Sequence, residues 1–222
     1  MTGSTRLMAP SCPVPPEVPD VVVEAVSPTV DGGRFAAKAI VGRPLRVEAD
    51  IFAHGHAVVR ALVRSRPLGS SDWHESPMRS LVNDRFEGEV VPDALGGLEI
   101  EVVGAVDHLA GWAGDARARV EAGREDPLDA EVGAALLYEA AEALVTRADQ
   151  AQVEVVRSLA EELRRRVDLA MLARLDALAP LLARRSIAED ERSAVRVEAI
   201  ASRERAAFSS WYELFPRSAS PD

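Results

Sequence analysis

Glu99 and Glu101 stand two residues apart in an alternating segment, so both carboxylates point to one face of a strand. A pair of carboxylates on one face is the equipment of a glycosidase. The same spacing arises wherever the polar side of a half-buried strand faces water, and the apolar partners Leu98, Ile100 and Val102 favour that simpler reading. Asp107 and Asp115 flank Trp112, but aspartates next to turns usually bond local backbone. His54 and His56 lie beside Gly55, with His74 and His108 elsewhere. A zinc centre needs three or four convergent ligands, and no Cys pair or His-Glu-x-x-His pattern supplies them. Cys12 is the only cysteine, so no disulfide forms within the chain, and its proline-rich surroundings give no reason for a reactive thiolate. Gly32-Gly33 and Gly96-Gly97 read as turn glycines rather than a phosphate cradle. The run Arg164-Arg165-Arg166 suits the C-terminal end of a helix dipole. No catalytic residue, cofactor site or metal site is expected. Trp73 and Trp112 are candidate sugar contacts, since an exposed indole stacks on the apolar face of a pyranose; each could equally plug a core.

These residues need elements to position them. Residues 1–19 carry Pro10, Pro13, Pro15, Pro16 and Pro19 and read as a disordered arm. Residues 20–122 alternate with period two between Gly, Pro, Asn and Asp punctuation. Val21–Val26, Arg34–Val41, Leu45–Phe52, Val58–Val63, Trp73–Met78, Arg85–Val91, Leu98–Val103 and Ala113–Val120 are the expected strands. Leu45, Val47, Ala49 and Ile51 share the buried face of the third. Val58–Val63 is expected to pair with that strand through the His54-Gly-His56 turn. Short strands at this spacing predict an antiparallel β-sandwich of immunoglobulin type.

The composition changes at Gly123. Asp126-Pro127 is a cap followed by a first-turn proline. A stripe of Leu128, Val132, Ala135, Leu136, Ala143 and Leu144 predicts a helix to about Val145. Val153, Val156, Leu159, Leu163 and Val167 predict a second, and Leu169, Leu172, Leu175 and Leu178 a third that Pro180 bends or ends. Ser186-Ile-Ala-Glu189 has the form of a capping box and predicts a fourth helix to about Phe208. Residues 123–208 are thus expected to form a helical bundle, giving an α+β chain.

Net charge is −10 at pH 7, and Lys38 is the only lysine. That balance argues against nucleic acid and against an anionic membrane surface. No apolar run reaches the roughly 18 residues of a membrane span, and the N-terminus lacks the apolar stretch of a signal peptide. A cytoplasmic protein is expected.

Phe208, Trp211, Tyr212 and Phe215 crowd together in a chain with only three Trp, two Tyr and five Phe. Large aromatic side chains gain most from burial, so residues 209–222 are expected to form a seam with a further domain. The segment Trp211-Tyr-Glu-Leu-Phe-Pro-Arg-Ser218 resembles the one that joins the N-terminal domain to the catalytic barrel in the maltose-1-phosphate maltosyltransferases of the α-amylase superfamily. Ser27-Pro-Thr-Val-Asp-Gly-Gly-Arg-Phe35 with Lys38, Glu48-Ala-Asp-Ile-Phe-Ala-His-Gly-His56, Val102-Val-Gly-Ala-Val-Asp107 with Trp112, and Arg203-Glu204-Arg205 are similar to further segments of that family, in its order. The resemblance implies an enzyme that transfers maltosyl from maltose 1-phosphate to the non-reducing end of an α-1,4-glucan. It implies a retaining mechanism and a bacterial pathway of glucan synthesis from trehalose. A barrel of that superfamily takes about 250 residues, which leaves no room for it here, so this chain is expected to be inactive alone. Its expected partners are its own catalytic barrel, a second copy in a homodimer, and α-glucan. The rival expectation is a free-standing carbohydrate-binding or protein-interaction module.

Overall fold

A computed structural model of the chain describes residues 20–124, 126–188 and 192–208. It is a mixed α+β structure of two sheets and five helices. The first sheet contains β1 (Val21–Ser27), β3 (Leu45–Ala53), β7 (Arg85–Val90) and β6 (Arg79–Ser80), in that order, all antiparallel. The second contains β2 (Ala37–Ile40), β9 (Ser193–Ser202), β8 (Gly96–Val106), β4 (Val59–Pro67) and β5 (His74–Pro77). Its pairs are antiparallel except β2 with β9.

Period-two alternation places one face of each strand between the sheets. Val47, Ala49 and Ile51 of β3 are fully buried, as their spacing predicts. They meet Leu98, Ile100 and Val102 of β8 and Ala199 and Ala201 of β9 in one core. Gly104 allows the close approach: a Cβ there would lie 2.7 Å from Ile51 Cγ2.

Three expectations fail here for physical reasons. Val58–Val63 does not pair with the strand before it: β3 and β4 belong to opposite sheets, and the His54-Gly-His56 turn arches between them. Alternation reveals which face is buried, not which strand is the neighbour. Ala113–Val120 is not a strand but part of helix α1 (His108–Glu121). Its buried residues Leu109, Trp112 and Ala116 sit at helical spacing, and Gly111 and Gly114 dilute the helix signal. The helix expected from Ser186 to Phe208 is replaced by β9, flanked by β2 and β8. In β9, Val195, Val197, Ala199 and Ala201 alternate with Arg196, Glu198 and Ile200, a strand pattern hidden among helix-favouring Ala, Arg and Glu.

Helices α1, α2 (Pro127–Glu142), α3 (Gln150–Leu163), α4 (Leu169–Ala177) and α5 (Ala179–Leu182) therefore occupy the connection between β8 and β9, two strands paired side by side. They enclose a second core that includes Leu137, Leu144, Val156, Leu159, Leu163 and Leu172. Side chains of Asp107, Asp126, Asp149 and Asp168 accept backbone N–H groups at the starts of α1, α2, α3 and α4. The stripe expected on α2 holds only in part: Leu144 is buried and Leu136 packs against the helical core. The buried face of α2 is Ala130, Gly133, Ala134, Leu137, Ala140 and Ala141, while Leu128, Val132 and Ala135 are exposed.

Candidate interaction surface

The face of the second sheet turned away from the core carries an array of paired charges. Arg64 and Arg66 alternate on β4, Glu99 and Glu101 on β8, and Arg196 and Glu198 on β9. Register places Arg64 opposite Glu101 and Arg66 opposite Glu99. Arg66 Nε donates to Glu99 Oε2 at 2.6 Å, and Arg196 Nη2 to Glu101 Oε1 at 2.9 Å. Arg64 donates to the second oxygen of Glu101. Glu101 is only 4% exposed. Burial pushes its carboxyl up, but hydrogen bonds from Arg196 and Arg64 outweigh that and hold it below the ordinary glutamate range. Glu99 and Glu101 do lie on the polar face, as their spacing predicts. They do not simply face water; each is saturated by guanidinium groups.

Trp73 is half-buried just before β5. The guanidinium carbons of Arg64 and Arg66 lie 4.5 and 4.3 Å from its ring centroid, and that of Arg196 lies 5.8 Å away. These are cation–π distances. The three arginines thus grip both the ring and the two glutamates. The signal for this lattice was present in the sequence: Arg-x-Arg on one strand and Glu-x-Glu on another share the period of the sheet.

Trp112 is not a surface contact. It is 7% exposed within the helical core. Its indole Nε1 donates to the carbonyl of Asp129 at 3.1 Å, and its ring fills the space above Gly133. Phe208 is 76% exposed, with the Arg43 guanidinium 5.9 Å from its ring. Trp211, Tyr212 and Phe215 lie outside the described residues, as does Cys12. His54, His56, His74 and His108 are all exposed. Among the described residues, no group of three or more His, Cys, Asp or Glu is placed to hold a metal ion. None of the described helices is long and apolar enough to cross a membrane.

A second polar cluster joins sheets to helices. Asp107, at the end of β8, caps α1 through one oxygen and accepts Arg185 Nη2 at 2.8 Å through the other. Arg60 of β4 donates to the carbonyls of Arg185 and Ser186 at 2.9 and 2.7 Å. Ser186, expected to cap a helix, instead bonds the carbonyl of Ala143 just past α2. A cavity of about 390 Å³ opens beside this joint, walled by Leu109, Ala113, Leu175 and Leu182. Its charged groups are already satisfied: Arg117 forks onto Asp176 at 3.0 and 2.8 Å, and Arg185 holds Asp107.

Comparison with known proteins decides the lineage. The family model described as alpha-1,4-glucan:maltose-1-phosphate maltosyltransferase, domain N/S, matches residues 19–199. The chain belongs to this N/S-domain family. Curated proteins named alpha-1,4-glucan:maltose-1-phosphate maltosyltransferase are similar along nearly its whole length. That of Myxococcus xanthus is 38% identical over 211 residues, covering 91% of this chain and 31% of the relative. That of Cereibacter sphaeroides is 34% identical over 204 residues, covering 91% and 34%. One of Streptomyces coelicolor is 32% identical over 224 residues, covering 98% and 33%. The chain thus spans about a third of the length of these relatives and corresponds to the N-terminal region of the enzyme.

Proposed function

We propose that this chain is the non-catalytic, dimer-forming module of a bacterial, cytoplasmic enzyme that transfers maltosyl from maltose 1-phosphate to α-1,4-glucan. The observation that carries this reading is coverage. The N/S-domain match spans residues 19–199 and the relatives cover 91% of the chain, yet about two thirds of each of those relatives lies outside the match. The transfer chemistry is assigned to that remainder. The paired carboxylates of the sheets are committed to arginine: Glu99 and Glu101 to Arg66, Arg64 and Arg196, Glu48 and Asp50 to Arg85. A carboxylate held ionised by two cations is a poor general acid.

We read the two sheets as an immunoglobulin-type sandwich and the helices as a bundle. The apolar residues that both leave outside support an assembly role. Leu128 and Val132 share an exposed face of α2, and Phe208 leads into the aromatic seam toward the catalytic barrel. Exposed apolar clusters of this kind mark interfaces, and twofold dimers are the commonest assembly. The test is made on the purified 222-residue chain. Incubation with maltose 1-phosphate and glycogen is expected to release no phosphate, and sedimentation velocity is expected to show a dimer. Sustained phosphate release would overturn the non-catalytic assignment. A monomer at high micromolar concentration would overturn the dimer.

A further inference from the structure

We propose that the outer face of the second sheet, centred on Trp73, binds a linear α-1,4-glucan chain. The identity of the sugar rests on the functional reading above; the existence of a saccharide platform rests on the geometry alone.

The ring of Trp73 is fixed in place. It continues the β4–β5 register by one residue, beside Arg66, and the guanidiniums of Arg64 and Arg66 lie within 4.5 Å of its centroid. Those guanidiniums are themselves fixed by Glu101 and Glu99. A preorganised aromatic ring loses little entropy when a sugar stacks on it. An indole that already has guanidiniums against its ring and is left half-exposed offers its remaining surface to the C–H face of a pyranose rather than to a further cation.

The rest of the surface suits the same ligand. Leu68, 62% exposed, lies over Gly97, where an added Cβ would meet it at 3.1 Å. Gly97 stands opposite Ile200, which is 53% exposed. An apolar strip thus runs alongside the Trp73 row. Within that row β8 and β9 set Glu99 directly opposite Glu198. Two facing glutamates repel. Arg66 and Arg196 engage Glu99, whereas Glu198 is exposed with no cation on it among the described residues. That leaves an uncommitted acceptor where sugar hydroxyls can donate. With strands spaced by about 4.8 Å, Trp73 and Glu198 stand roughly 14 Å apart, the reach of an oligosaccharide rather than a single ring. Arg64, Arg66, Arg196 and Arg147 face Glu75, Glu99, Glu101 and Glu198, four charges of each sign. The face has little net field to select a polyanion, and it offers donors and acceptors side by side, as a neutral polyol requires.

Affinity electrophoresis of the 222-residue chain in native gels with and without glycogen tests this. The chain is expected to be retarded by glycogen, and not by dextran at the same concentration. Trp73→Ala and Ile200→Asp should each weaken the apparent affinity about tenfold, and Glu198→Gln by a smaller factor. Ile200 and Glu198 are exposed, so their variants keep the parental thermal midpoint and decide the matter if Trp73→Ala misfolds. An unretarded parental chain, equal retardation in dextran, or undiminished retardation of folded Ile200→Asp overturns the platform. A dimer without phosphate release that ignores glycogen leaves the assembly reading standing and removes only the platform. A retarded chain that turns over maltose 1-phosphate does the reverse.

Discussion

Glu101 shows how a residue that could do chemistry is turned to structure. It is buried, it touches two guanidiniums, and its carboxyl is held below the ordinary value near 4.5. The unfolded chain lacks those guanidiniums, so its Glu101 protonates at higher pH than the folded one. The pair therefore contributes stability at every pH above the unfolded value, and loses it as pH falls through the lower folded value. Urea denaturation from pH 7 down to pH 3 should show an acid limb that flattens in Glu101→Gln. At pH 7 that variant should cost about 3 kcal/mol, chiefly because the largely buried Arg64 loses its anionic partner; the half-exposed Arg196 can turn to water. An unchanged limb would mean other carboxylates govern acid unfolding. Period-two spacing made the orientation of Glu99 and Glu101 legible in the sequence. Their burial was not legible, because Arg196 reaches them from a segment that reads locally as helix.

At the scale of elements, strands with clean alternation could be read from the chain, and capped helices could too. α3 buries Val153, Val156, Leu159 and Leu163, as their spacing predicts. The errors cluster where composition and packing disagree. α2 turns alanines and a glycine inward because Trp112 of α1 occupies the room that a leucine would take. A hydrophobicity pattern rewards size, so it set Leu128 and Val132 on the buried face, although its Leu136 and Leu144 do pack into the helical core. Gly133→Ala makes the consequence measurable. Helix propensity favours alanine by about 1 kcal/mol, but its Cβ would sit 2.1 Å from Trp112 Cζ2. The indole is buried and anchored through Nε1, so it cannot swing aside cheaply. The clash should win, lowering stability by about 1–3 kcal/mol in thermal denaturation. A raised midpoint would show that the helices can separate to admit a methyl group.

For the whole molecule, the decisive feature is the insertion of five helices between two neighbouring strands. The cores are separate: among the described residues, no helix residue belongs to the core between the sheets. Replacing the 108–192 segment with a short glycine-containing turn should therefore leave a folded two-sheet protein with a cooperative transition and a strand-dominated circular dichroism spectrum, since Gly104 and Ser193 already face each other. Loss of all cooperative unfolding would show that the joint at Asp107, Arg185 and Arg60 is needed to build the sheets as well as to fasten the helices. The same layout sets an order of events. On the ribosome β8 and β2 emerge long before β9, the strand that sits between them. Until β9 arrives, both present bare edges, the condition under which strands capture the wrong neighbour. Early folding of the helices brings Gly104 and Ser193 together and shortens the effective loop that β9 must close. The helical unit thereby acts as a built-in escort for the last strand, and mutations that slow its folding should show up first as aggregation during synthesis.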